Sequence, residues 1–137
     1  MLRSLLYVSS AVRILDQSEL LDLLQVSRNC NELAGITGLV VYEEGNFIQV
    51  LEGPSEAVEE TMRRIRNDVR HHMILVLLDN EISERLFGSW AMAFATVDEL
   101  TDNGLDNFVA HNPHLQKLPR CHQVFRLLLN YRSMFRR

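Results

Sequence analysis

Tyr7, Asn31 and Gln49 are the side chains of this sequence best equipped for chemistry. A phenol can give up an electron and a proton, and a primary amide has a donor end and an acceptor end that can exchange roles. Tyr7 stands in the run Leu2-Arg3-Ser4-Leu5-Leu6-Tyr7-Val8-Ser9, Gln49 in Phe47-Ile48-Gln49-Val50-Leu51-Glu52-Gly53, and Asn31 shortly before Gly35-Ile36-Thr37-Gly38. In or beside segments that otherwise read as buried strands, an unpaired polar group costs about 1–3 kcal/mol, so something polar should meet them. Strand alternation puts Gln49 on the side of Phe47 and Leu51, toward a core. Each residue also has a plainer reading by itself. A strand tyrosine packs its ring and finds one partner for its hydroxyl, a glutamine bonds to backbone or faces solvent, and an asparagine turns the chain where a helix ends. Tyr7 and Gln49 on central strands could pair with each other, which neither residue establishes alone.

The elements that must hold these groups alternate between sheet and helix. Leu2 to Ser9 has strand character. Asp16, with Glu19 three residues later, forms a capping-box signal for a helix through about Arg28, with Leu20, Leu23 and Leu24 on its apolar face. Asn31 then follows that helix in a loop. Ile36 to Tyr42 and Phe47 to Glu52 read as strands joined by Glu43-Glu44-Gly45-Asn46, a hairpin turn signal. Gly53-Pro54 ends the second of these and opens a helix whose stripe is Val58, Met62, Ile65 and Val69. Met73 to Leu78 and Gly88 to Thr96 close the pattern. The order βαββαββ predicts an α+β, ferredoxin-like sheet with two helices on one face.

These segments, together with Ser89-Trp90-Ala91-Met92, resemble the BLUF family of flavin-binding blue-light sensors over residues 2–97. The resemblance implies the same ferredoxin-like fold, with a flavin ring lodged between the two helices, FAD as cofactor and FMN as the alternative. It implies that Tyr7 donates an electron and a proton to the excited flavin, and that Gln49 sits between Tyr7 and the ring and is left in a changed hydrogen-bonding state. Asn31 matches a contact to the flavin's polar edge. Leu23 and Ile65 match apolar walls, and Arg64 and Asp68 a polar pair near the ribityl-phosphate side. Periodicity alone would make Leu23 and Ile65 ordinary core and Arg64 and Asp68 a solvated helix face. Trp90 and Met92 match the signalling strand, although both are also common core fillers. Cys30 departs from the family, which more often has asparagine or histidine there. A thiol is a weaker donor, so flavin retention or dark recovery should differ.

Composition bounds the rest. The 137 residues, 47% hydrophobic and 23% charged, suit one soluble domain with an appended element: a flavin-binding domain over 1–97 and a helical extension over 98–137. In the extension, Val124, Leu127, Leu128, Tyr131 and Phe135 share a helical face beyond Pro113 and Pro119. Residues 114–137 carry six positive side chains and no carboxylate, which leaves a net −10 on residues 1–113. Docking of this basic tail on its own acidic body or on a second copy explains the asymmetry without direct nucleic-acid binding. A homo-oligomer is expected, as is a downstream signalling protein of unspecified identity that hears the switch through Trp90, Met92 and the extension. No apolar run approaches the ~20 residues of a membrane span, and neither a signal peptide nor a disulfide framework shows, so a cytoplasmic protein with Cys30 and Cys121 reduced is expected. His71-His72, His111, His114 and Cys121-His122 lack the repeated spacing of a metal site. There is no phosphate-cradling glycine loop or nucleophile-base motif, which argues against an enzyme. The competing class is a light-insensitive ferredoxin-like binding or oligomerisation module.

Overall fold

The computed structural model describes residues 1–43, 45–69, 71–87 and 93–95, with residue 126 alone beyond them. The elements run β1 (Leu2–Ala11), α1 (Gln17–Ala34), β2 (Thr37–Glu43), β3 (Asn46–Pro54), α2 (Ser55–Asn67), β4 (His71–Ile82) and β5 (Ala93–Ala95). The sheet order is β4-β1-β3-β2-β5, with antiparallel pairing of β1 to β3, β1 to β4 and β2 to β3. This is the expected ferredoxin-like arrangement. Of the predicted strand from Gly88 to Thr96, the described part is β5; Trp90 and Met92 lie outside the described residues, as do nearly all residues of the predicted extension.

Local chemistry accounts for most element ends. Glu19 N–H donates to Asp16 Oδ1 at 2.8 Å and the Glu19 carboxylate accepts from Asp16 N–H, so the predicted capping box opens α1. Gly45 takes a left-handed φ of 89° in the β2–β3 hairpin, a conformation available to glycine without steric cost. The Leu15 N–H donates to the Tyr42 hydroxyl at 2.8 Å, and Tyr42 packs on Phe47 with ring centroids 4.8 Å apart. Those contacts pin the link before α1 to the sheet. Arg3 grips both carboxylate oxygens of Asp79 at 2.7 Å and also reaches Glu59, so one guanidinium ties β1, β4 and α2 together.

Two sequence expectations change. First, α1 continues past Arg28 to Ala34 and stops at Gly35, whose φ of 72° forms the left-handed cap. No glycine or proline interrupts the chain before that point, and the Gly35 and Ile36 N–H groups close the end on the Asn31 carbonyl. Second, Val69 leaves the predicted buried stripe. Helix α2 ends at Asn67, with Asp68 already extended as its cap, and Val69 is 84% exposed. Val58 and Met62 remain buried and Ile65 packs beside them.

The helix-side core joins Leu5, Tyr7, Val40, Tyr42, Phe47 and Leu51 of the sheet to Leu24, Val58 and Met62 of the helices. The opposite sheet face also carries fully buried side chains, among them Leu6, Ile48, Val50 and Glu52.

Candidate functional site

Register brings the chemistry together. Tyr7 on β1 faces Gln49 on β3, which faces Val40 on β2, while Val76 on β4 flanks Tyr7 on its other side. With a period of two, these side chains share the helix-side face. The row therefore places a phenol and an amide side by side between valines. Beside Tyr7 the β1–β4 ladder slips by one residue, pairing Leu6 with Leu78 and Tyr7 with Val76. An irregularity of this kind re-aims side chains locally.

The Tyr7 hydroxyl donates to Gln49 Oε1. Both residues are buried, Tyr7 at 3% and Gln49 at 8% exposure. Burial, and then the negative charge of Asp68, raise the Tyr7 pKa well above the ordinary phenol value. The phenol thus keeps its proton throughout the neutral range. With the amide oxygen committed to Tyr7, the NH2 end of Gln49 projects from the other side of the same group.

Above this pair lies a cavity of about 130 Å3 between α1, α2 and the sheet. A buried water needs only ~10–15 Å3 on the same measure, so the space suits a larger guest. Its lining contains every cofactor-contact residue expected from the sequence: Tyr7 and Gln49 from the sheet, Leu23, Cys30 and Asn31 from α1, and Arg64, Ile65 and Asp68 at α2 and its cap. Leu23 and Ile65 supply apolar surface from the two helices. Cys30, half-buried on α1, lines the cavity. Asn31 is a correction in position: it occupies the last turn of α1, not the loop after it, and is 2% exposed. The helix presents its amide while the helix end consumes its backbone carbonyl. Arg64, although exposed, reaches the cavity rim.

Sequence reasoning missed Thr61. It is 4% exposed on α2, lines the same cavity, and its hydroxyl is the one buried side-chain polar atom among the described residues that has no hydrogen-bond partner. Such an atom is rare in folded proteins and marks a place for a polar guest. The clue available in sequence was its position one residue before Met62 on the buried stripe. A planar heterocycle with polar edges fits this set: apolar side chains for its faces, and amide and hydroxyl groups for its rim.

The family model for BLUF, described as sensors of blue-light using FAD, matches residues 2–93. The chain belongs to the BLUF family. It is therefore a flavin-binding blue-light sensor chain, and the ferredoxin-like module without a light response is not favoured. Photoactivated adenylate cyclase subunit alpha of Euglena gracilis is 35% identical over 86 residues, which cover 63% of this chain and 8% of that protein. Among solved structures, BlrB, a BLUF protein in its dark state, is 31% identical with a TM-score of 0.70, covering 96% of this chain and 94% of that one. Klebsiella pneumoniae BlrP1 with FMN and cyclic diGMP is 26% identical with a TM-score of 0.79, covering 97% of this chain and 35% of that one. BLUF sequences thus occur joined to effector domains. This chain spans less than a tenth of the Euglena cyclase. Among the described residues, no helix is long and apolar enough to cross a membrane.

Proposed function

We propose that this BLUF chain senses blue light through the Tyr7–Gln49 pair and reports to a separate protein, without catalysing a reaction of its own. The bond from the Tyr7 hydroxyl to Gln49 Oε1 at the floor of the interhelical cavity carries the reading. When bound, FAD supplies the absorption of blue light and, in its excited state, a strong pull on an electron. Tyr7 holds a transferable proton in the dark, as any phenol does at neutral pH, and burial disfavours the phenolate further. Gln49 converts that proton's movement into a changed arrangement of donor and acceptor, since its two ends are chemically opposite and nearly equal in shape. Asn31, Cys30 and Thr61 would offer polar groups to the cofactor, Leu23 and Ile65 apolar surface from the two helices, and Arg64 and Asp68 charged groups, all from the lining of the one cavity.

The output reaches residues 98–137, read as a C-terminal extension, and through them a partner or a second copy. The basic charge of residues 114–137 supports contact with an acidic surface. Remaking one or two hydrogen bonds supplies about 0.5–1.5 kcal/mol each, enough to bias a balanced equilibrium and too little to overturn a strongly favoured one. The deciding experiment is a light-minus-dark absorption spectrum of the flavin-loaded protein. A small red shift that reverses in the dark is expected; a flavin-loaded protein with an unchanging spectrum refutes the switch.

A further inference from the structure

Glu52 is a carboxylate with no solvent exposure, on the sheet face opposite the flavin cavity. It stands three residues after Gln49 on β3, so about 10 Å of strand separates the two. Isolated burial of a charged group is expensive, and here backbone donors compensate it. Leu86 N–H donates to Oε1 at 2.9 Å and to Oε2 at 3.1 Å, and Phe87 N–H donates to Oε1 at 2.8 Å. Arg85 adds bonds to the Thr37 hydroxyl at 2.9 Å and to the Glu52 carbonyl at 3.3 Å. Three successive residues of the link that follows β4 therefore hang on Glu52 and its neighbour on β2.

That link has an unusual task. β4 lies at one edge of the sheet and β5 at the other, beside β2, so the chain must cross the whole sheet between them. Leu86 and Phe87, 3% and 2% exposed, are where it is fastened on the way. Charge-assisted bonds from a carboxylate to backbone N–H groups are about twice as strong as neutral ones, and Glu52 is rooted in the same strand as Gln49.

We propose that Glu52 is a positioning residue for the light response: it fastens the 85–87 link to β3, so that a change at Gln49 is felt by the segment leading into β5. The proposal rests on the light-sensing reading above and adds the route by which the response leaves the flavin face. A purely structural buried glutamate would stabilise the fold and leave light-dependent differences at Leu86 and Phe87 untouched.

The test uses the full flavin-loaded chain. Backbone amide resonances and hydrogen exchange at Leu86 and Phe87 are measured in the dark and under blue light, for the unaltered protein and for Glu52→Gln. Glutamine keeps the shape and one acceptor oxygen but loses the charge. In the unaltered protein both amides should be protected in the dark and should shift on illumination. In Glu52→Gln the absorption red shift should persist, dark exchange at both amides should rise about tenfold, and their light-minus-dark shifts should fall at least twofold. Unprotected amides, or amides indifferent to light, in the unaltered protein overturn the proposal without any variant. Equal light-minus-dark shifts in both proteins overturn it too. Absence of the red shift in the unaltered protein overturns the light-sensing reading itself, which separates that failure from failure of the Glu52 route alone.

Discussion

The Tyr7–Gln49 bond can be tested as an energetic unit with a double-mutant cycle. Tyr7→Phe removes a hydroxyl and keeps the ring in the core. It leaves the Gln49 oxygen without its Tyr7 partner at a site only 8% exposed. Gln49→Leu does the converse, stranding a hydroxyl on a residue 3% exposed between β3 and β4. Each single change leaves a buried group short of a partner and should destabilise the dark protein by about 1–3 kcal/mol. The double variant puts apolar groups at both positions, between Val40 and Val76, and should be little worse than one single variant. The coupling energy should therefore be about 1–2 kcal/mol, within the range for residues in direct contact. The assay is urea unfolding of all four proteins in the dark at equal flavin excess, with flavin affinity measured for each so that its stabilisation, RT ln(1 + [L]/Kd), can be subtracted. Both singles should bind flavin and lack the reversible red shift. Additivity within ~0.5 kcal/mol would refute the pair as an energetic unit, and a full photocycle in either single variant would refute its role in the switch.

Three further outcomes follow from particular atoms. Thr61→Val, which replaces the unpartnered hydroxyl by a methyl, should leave the flavin-free protein as stable or up to about 1 kcal/mol more so, while weakening flavin binding by about fivefold; unchanged affinity by fluorescence titration would place the hydroxyl outside the contact set. The raised pKa of Tyr7 gives stability that is fully present below the ordinary phenol value of 10.0 and is lost as pH rises through the higher folded value, because the unfolded chain releases that proton first. Tyr7→Phe should accordingly remove about 1.4 kcal/mol per pH unit from the alkaline slope of stability, as read by denaturant unfolding from above the ordinary phenol value of 10.0 up to the onset of alkaline unfolding, and an unchanged slope there would contradict the burial argument. Cys30→Asn should alter the dark-recovery rate or flavin retention, since an amide brings two donors and an acceptor where the thiol offers one weak donor; equal recovery and retention would remove Cys30 from the contacts.

Much of this protein was legible in the residue order. Local chemistry sufficed for the capping box at Asp16 and Glu19, the Gly45 turn, and the strands around Tyr7 and Gln49, because each depends on neighbours within a few positions. The family motif then pointed to eight residues, Tyr7 through Asp68, and each of them is among those lining one cavity. Two boundaries were misread for a shared reason: the last turn of a helix is set by what covers it. Asn31 reads as a loop residue by propensity, yet burial of its side chain and the Gly35 cap carry α1 past it. Val69 fits the helical period, yet the chain has already left the helix at Asp68.

What the sequence alone determined is the alternation of strands and helices and the types of group available for the switch, since periodicity and capping are written in adjacent residues. Only the tertiary structure decided that the Tyr7 hydroxyl donates to Gln49 Oε1, that Thr61 carries an unpartnered buried hydroxyl on a residue lining the cavity, and that Glu52 clasps Leu86 and Phe87. Each of these depends on register between strands or packing across some 34 or more positions of chain, or on the shape of a cavity. Sequence spacing carries almost no information at that range, because strand register and helix packing, not distance along the chain, fix which side chains share a face.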